Sequence, residues 1–278
     1  MIVCDQSKVE VVDDGRKIGI SRKISGALGL FEGQTLFASH DEGSGQLLLS
    51  TVSLNPSVNY FRIYLEDVPG SLSKITEMLK DGNINILSGG AFSLGNLWLS
   101  EFILDFKEAE ATPEDIIDEL GVLGGFVTSR EITELFPRSF DLQSTLEITE
   151  GGPEGLYLTI PGDFSAKRGM SWESASHAVM SAWPRVKALF IDFYQPGSKL
   201  LKISAKIRDV PGSLHALADV IRTQVDLQAI DELHHDAESG VWAAFGVLLI
   251  GSLEELHRKA TNLPTVIDFE AEPLGWNG

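Results

Sequence analysis

Two stretches of the chain share the sequence Asp-Val-Pro-Gly-Ser-Leu. They are Asp67-Val68-Pro69-Gly70-Ser71-Leu72 and Asp209-Val210-Pro211-Gly212-Ser213-Leu214, 142 positions apart (67 to 209). Proline fixes φ and has no N–H, so it suits the approach to a helix, where amide donors lack partners anyway. Glycine removes the side chain where another backbone or a ligand must come close. The free N–H groups of a first helical turn, together with the helix dipole, make a seat for a carboxylate. The alternative is structural: Asp67 and Asp209 cap their helices and Pro-Gly is turn chemistry.

Other chemistry-bearing residues point to no site. His234-His235-Asp236 has the composition of a metal set. Adjacent residues of a strand face opposite ways, however, so the two imidazoles cannot easily share one ion. His40, His177, His215 and His257 are scattered, and no Ser-His-Asp spacing, phosphate-cradling loop or carboxylate pair stands out. No catalytic residue, metal or cofactor is expected, and the chain reads as non-enzymatic.

Each hexapeptide must be held by the elements around it. Residues 60–66 read as a strand, and Leu72, Ile75, Met78 and Leu79 fall at helical spacing before the stop at Gly82. Two strands around Gly95-Asn96 follow, then a helix with Thr112 as N-cap and Pro113 in its first turn, then a closing strand. The second copy repeats the order: Leu214, Leu217, Val220 and Ile221 share a helix face, strands flank Glu238-Ser239-Gly240, and Ser252 caps the last helix. The result is β-α-β-β-α-β twice, an internal duplication. That order predicts an α+β chain of two ferredoxin-like units, each an antiparallel four-stranded sheet with both helices on one face.

A β-α-β-β-α-β unit with Asp-x-Pro-Gly-x-Leu between its first strand and first helix resembles the ACT domain, a small regulatory ligand-binding module. The first copy also resembles the family at Asn83-Ile84-Asn85, where the second has Val225-Asp226-Leu227. The resemblance implies that such units pair side by side and bind amino acids near the loop. The implied contacts are Asp67, Val68, Gly70, Ser71, Leu72, Asn83 and Asn85 in the first copy. In the second they are Asp209, Val210, Gly212, Ser213 and Leu214, and an Asp here could meet a ligand's ammonium group. The divergence after the loops favours the first copy as the binding one.

Residues 8–53 read as a strand, an Asp14-Gly15 turn, a short strand, a helix and a hairpin. They resemble the AbrB-like swapped-hairpin domain at Val12, Asp13, Gly15, Arg16, Ile18, Ile20, Leu28, Gly29, Leu30, Gly33 and Leu36, departing at Ser21 where that family places Pro. The resemblance implies that two chains interlock into a dimeric barrel, with Arg16, Lys17, Arg22 and Lys23 as candidate DNA contacts; the alternative is a dimerisation hairpin with solvated cations. Four segments are therefore expected: the hairpin segment 1–57, a first ACT-like domain 58–137, a β-α-β connection 138–197, and a second ACT-like domain 198–274. Within the connection, Met170, Ala175, Val179 and Trp183 suggest one side of a helix, between strands at 154–163 and 187–197.

The bulk numbers bound the function. A chain of 278 residues, 43% hydrophobic, suggests about two domains with ample core. The net charge of −18 opposes general affinity for nucleic acid or anionic membranes. The single cysteine, Cys4, excludes an internal disulfide and fits a reducing compartment; with no signal-peptide pattern at the start, a cytoplasmic location is expected. The preferred expectation is a non-enzymatic regulator that senses a small molecule, an amino acid, and dimerises through its N-terminal hairpin, with DNA as a further partner. The alternative is a regulatory subunit that docks on a metabolic enzyme and confers feedback control. A third, motivated only by the unassigned segment, is an enzyme with its site in residues 138–197.

Overall fold

The computed structural model describes residues 2–13, 15–41, 45–136, 140–150, 155–162, 174–230, 234–235 and 238–274. The expected Asp14 of the first turn, part of the 41–46 hairpin, Met170 and Asp236 lie outside them. The chain is α+β and mostly strand. Three sheets account for it: a closed eight-stranded barrel and two smaller antiparallel sheets.

The barrel is built from both segments that lie outside the repeats. The first supplies β1 (Val3–Val12), β2 (Gly15–Ile20), β3 (Thr35–Asp41) and β4 (Leu47–Ser50), with the short helix α1 (Arg22–Leu28) between β2 and β3. After the first repeat, with β5 (Val58–Glu66), β6 (Asn85–Leu94), β7 (Leu97–Asp105) and β8 (Phe126–Glu131), come β9 (Phe140–Glu150), β10 (Leu156–Pro161), β11 (His177–Trp183) and β12 (Ala188–Tyr194). Around the barrel the order is β1-β11-β12-β4-β3-β9-β10-β2. Alternate residues point inward: Ile18 and Ile20, Leu47 and Leu49, Ala178 and Met180, Leu189 and Ile191 fill one core, as eight strands require.

This arrangement departs from the hairpin expectation. All outer edges of the β1–β2 and β3–β4 hairpins are taken within one chain: β11 pairs β1, β10 pairs β2, β9 pairs β3 and β12 pairs β4. The interlocking partner is residues 140–194 of the same chain, not a second chain. The expected helix across 165–183 is also corrected, because 177–183 are strand β11. On its outer face Val179 is buried against the second repeat and Trp183 is half-buried against the first. Burial on both faces erases the simple alternation, and pairing with β1, far away in sequence, outweighs local propensity.

Each repeat has the β-α-β-β-α-β order. The first comprises β5 (Val58–Glu66), α2 (Ser71–Asp81), β6 (Asn85–Leu94), β7 (Leu97–Asp105), α3 (Pro113–Val122) and β8 (Phe126–Glu131), with sheet order β6-β7-β5-β8. The second comprises β13 (Leu200–Arg208), α4 (Ser213–Ile221), β14 (Val225–Ile230), the two-residue β15 (His234–His235), β16 (Ser239–Leu248), α5 (Leu253–Thr261) and β17 (Val266–Pro273). Its order is β14-β16-β13-β17, with β15 beside β16. Local signals set the helix starts. Thr112 caps α3 in a capping box with Asp115, and the Ser252 hydroxyl accepts from the Glu255 amide at α5.

In each unit one sheet face meets the helices. Phe61, Ile63 and Leu65 pack against Ile75, Leu79 and Ile116, and Leu201, Ile203 and Ala205 against Leu217 and Leu256. The opposite faces lean on the barrel. Ile103 of the first unit joins Leu48 and Ala188, and Leu200 and Phe245 of the second join Cys4 and Val179. No sheet is shared by the two units, so side-by-side pairing within this chain is not what the fold provides.

Candidate functional site

The two Pro-Gly loops close in the same way. In the first, the amides of Asp67, Val68, Ser71 and Lys74 donate to the carbonyls of Asn96, Glu66, Val68 and Gly70; in the second, those of Asp209, Val210, Ser213 and Ala216 donate to Glu238, Arg208, Val210 and Gly212. Gly70 and Gly212 are the N-caps, with φ of 98° and 89°, and neither helix has a side-chain cap. Asp67 and Asp209 therefore do not cap their helices. Among the described residues no atom lies within 4 Å of a Cβ built on either glycine, so backbone conformation, not crowding, demands glycine there. The first-turn amides of each helix therefore have no capping side chain, and Leu72 and Leu214 beside them are exposed.

The remaining predicted contacts do not join these loops. Asn83 and Asn85 lie beyond the far end of α2: Asn85 pairs with Asp105 beside Val58, whereas the loop follows Glu66, which pairs with Leu97. Nine residues of strand separate the two ends, roughly 27 Å. Asn83 has a structural task, adopting φ 53° and donating Nδ2 to the Glu108 carbonyl at 2.7 Å. The four N-terminal cations also fail to form one face. Arg16 lies on the strand side of Ile18 and Ile20, Lys17 stands 3.7 Å over the outer Tyr157 ring, Lys23 reaches the Cys4 carbonyl, and Arg22 is exposed at the start of α1.

A second candidate appears on the open face of the first sheet, where it meets the β11–β12 turn. The inner side chains of β5 hold the helices, and burying Phe61 or Ile63 is worth about 1.5–3 kcal/mol each. The alternate residues Tyr60, Arg62 and Tyr64 face the other way. Arg62 donates to Glu101 Oε1 from Nε at 2.9 Å and from Nη2 at 2.7 Å. Arg185 Nε lies 3.7 Å from Glu101 Oε2. Arg185 is placed by a tight turn, Pro184–Val186, whose next residue Lys187 has φ 57° and accepts at its carbonyl from the Thr51 amide and Ser50 hydroxyl.

Two cavities flank this cluster and share Tyr60 and Arg185. One, about 310 Å³, runs over Ser88–Phe92 of β6 and Leu99 of β7. The other, about 410 Å³, lies between β8 and the barrel and is lined by Arg62, Arg130 and Arg185 with Thr128, Trp183 and Leu135. For Glu101, burial would raise its pKa, but hydrogen bonds from Tyr60 and Arg62 and the charges of Arg185 and Arg62 outweigh it, holding the carboxyl below the usual range. Burial first, then the Glu101 carboxylate, push the Tyr60 hydroxyl up. Glu101 thus stays ionised and Tyr60 protonated near neutrality, which suits fixed recognition better than proton transfer.

Among the described residues the second unit has no such cluster. At the hexapeptide spacing, Arg62 and its cross-strand partner Glu101 correspond to Ser204 and Ala243, themselves a cross-strand pair. Thr128 and Arg130 correspond to Glu270 and Glu272, of which Glu272 sits opposite Lys202. Comparing the copies position by position is the sequence signal that could have picked out Arg62, Glu101 and Arg130. Arg185 comes from the other half of the barrel, and only the fold brings it here. Among the described residues no His, Cys, Asp and Glu cluster could hold a metal ion. His234 and His235 form a short strand against Val241 and Gly240.

No protein-family model and no curated protein matches the chain. Among solved structures it aligns with a protein of unknown function from Galdieria sulphuraria at 10% identity and TM-score 0.32, covering 78% of this chain and 98% of that one. A protein described as a glycine cleavage system transcriptional repressor aligns at 10% identity and TM-score 0.28, with 78% and 95% covered. The small subunit of acetolactate synthase from Thermotoga maritima aligns at 11% identity and TM-score 0.18, with 80% and 99% covered. All three scores lie below 0.5, and these likenesses carry no argument about fold or function.

Proposed function

We propose that the chain is a non-catalytic regulator that binds an amino acid at its Pro-Gly loops, foremost the first. The observation that carries this reading is the pair of loops closed by the same backbone hydrogen bonds. Each presents uncapped first-turn amides, a glycine with open space above it and an exposed leucine. Amides and helix dipole suit a carboxylate, Asp67 suits an ammonium group, and Leu72 suits an apolar side chain. Ligand would act by binding one arrangement of the units on the barrel better than another, since only differential affinity shifts an equilibrium. DNA contact is not part of the proposal, because the four N-terminal cations do not share a face.

The test is a thermal-shift titration of the full chain with each of the twenty amino acids. A binder at 100 times its dissociation constant stabilises by about 2.7 kcal/mol. The informative variant is Leu72→Asp with Leu214→Asp. An acid in the first helical turn suits the dipole, so the fold is retained, while its charge repels a ligand carboxylate. The double variant is expected to lose the shift. No shift with any amino acid, or a shift unchanged in the variant, defeats the reading.

A second reading, a regulatory subunit docking on a metabolic enzyme, draws support from one surface feature. Across the first sheet Phe92, Leu99, Tyr64 and Phe126 fall in one register on the open face, and Phe92 and Phe126 are 54% and 64% exposed. Co-purification of a biosynthetic enzyme that is lost on Phe92→Glu and Phe126→Glu would favour it.

A further inference from the structure

We infer that the three-arginine cavity between the first sheet and the barrel binds a small organic anion, a carboxylate or phosphate ester carrying a flat apolar body. Charge comes first. The chain carries a net −18, yet Arg62, Arg130 and Arg185 converge on one cavity that has no acid in its lining. Glu101, just outside that lining, is shared between Arg62 and Arg185. Arg130 has no ion-pair or hydrogen-bond partner among the described residues and stands on β8 beside Tyr60. At least two positive charges are therefore uncompensated, in a recess where neighbouring protein raises their attraction for an anion.

Stability does not account for the cluster. Partly exposed ion pairs contribute about 1 kcal/mol or less, and three cations facing one acid repel one another. Shape is the second observation. A cavity of about 410 Å³ lies in the range of small-molecule sites. Leu135 and Val186 form an apolar wall with Trp183, whose ring meets Phe136 edge-on at 6.2 Å. Guanidinium groups offer paired donors matched to carboxylate or phosphate, and the indole offers a flat face for the ligand's body. The third observation is the duplicate: at the positions of Arg62, Thr128 and Arg130 the second unit has Ser204, Glu270 and Glu272. The charge is local to one copy. The inference does not depend on amino-acid binding at the Pro-Gly loops.

The test is isothermal titration of the full chain, at low ionic strength and in phosphate-free buffer, with phenyl phosphate, benzoate and inorganic phosphate. Saturable binding of phenyl phosphate or benzoate is expected, with phenyl phosphate tighter than inorganic phosphate and both weakened by added sodium chloride. Arg130→Gln and Arg185→Gln should each lower affinity about tenfold or more, because each removes a charged donor. Glu101→Gln should raise affinity by freeing two arginines, a change of sign that a merely structural role would not give. Circular dichroism and the melting temperature of Arg130→Gln, an exposed residue without an ion-pair partner, report that the fold is intact. Absence of saturable binding for all three probes overturns the proposal, as does undiminished binding in the Arg130→Gln, Arg185→Gln double variant. Loss of binding in the Leu72→Asp, Leu214→Asp variant would move the anion to the loops and overturn it equally. Equal affinity for inorganic and phenyl phosphate would overturn the apolar-body part.

Discussion

Two carboxyls show how the same group serves opposite ends. Glu101 has its pKa lowered, because hydrogen bonds and arginines outweigh burial; Asp192 on β12 has its own raised by burial, offset only in part by Gln46, whose Nε2 lies 2.9 and 3.0 Å from its two oxygens. The signs follow by linkage. Glu101 contributes stability above the usual glutamate value, about 4.3, and loses it as pH falls through its lowered value. Asp192 contributes stability only below the usual aspartate value, about 3.9, and loses it as pH rises through its raised value. At neutral pH, Glu101→Gln should therefore lower the melting temperature and Asp192→Asn should raise it, Asn keeping an oxygen for Gln46. Both differences should shrink on acidification below about pH 4, measured by melting curves across pH. A neutral-pH destabilisation by Asp192→Asn would contradict this account. The loop serines differ as sharply. Ser71 Oγ donates to the Glu66 and Val68 carbonyls at 2.8 and 2.9 Å, while the buried Ser213 Oγ has no partner among the described residues. Ser71→Ala should cost about 1 kcal/mol and Ser213→Ala close to nothing in denaturant unfolding.

At the scale of elements, glycine acts by two mechanisms that mutation separates. Gly70 needs its positive φ but has open space around it, so Gly70→Ala should cost about 1–3 kcal/mol of backbone strain that no neighbouring substitution relieves. Gly89 on β6 has no such φ; a Cβ there would sit 2.4 Å from the Phe102 ring. Gly89→Ala should be destabilising because of that overlap, and Phe102→Leu should recover part of the loss. A double-mutant cycle reads this as a coupling of about 0.5–3 kcal/mol, and simple additivity would refute the overlap. These elements also show what is legible in the sequence. The helix starts at Thr112 and Ser252 and the repeated β-α-β-β-α-β order are written in local spacing, caps and turn residues. The strands β9 and β11 were not, since they pair with β3 and β1 from the other half of the chain and β11 is buried on both faces. The Pro-Gly loops were visible because they are local. The Arg62–Glu101–Arg185 cluster was not, because closure of the barrel is what carries Arg185 to the first sheet.

The whole molecule is doubled more thoroughly than its hexapeptides suggest. Exchanging β1 with β9, β2 with β10, β3 with β11 and β4 with β12 maps the pairings of the barrel onto one another, β4–β12 and β2–β10 each onto itself. Each half of the chain then consists of half a barrel followed by one β-α-β-β-α-β unit, and the 142-residue step between hexapeptides (67 to 209) is close to half of the 278 residues. The seats of the two units break this symmetry. The first leans on Leu48 and Ala188 of β4 and β12, strands that exchange with each other, whereas the second leans on Cys4 and Val179 of β1 and β11, whose counterparts are β9 and β3. Among the described residues the charged cleft lies at the first seat and has no counterpart at the second, so the side chains differ where the packing does. A division at the half-barrel boundary exposes what the symmetry implies. Residues 1–137 alone would leave the edges of β1, β2, β3 and β4 without β11, β10, β9 and β12, and Ile18, Ile20, Leu47 and Leu49 without half of their core. Open edges and an uncovered apolar face favour closure by a second copy. Co-expressed fragments 1–137 and 138–278 should therefore assemble one to one, and 1–137 alone should dimerise, with light scattering after size-exclusion chromatography reporting the masses. A folded, monomeric 1–137 fragment would show that the half-barrel is self-sufficient, and the two-fold reading of the barrel would fall with it.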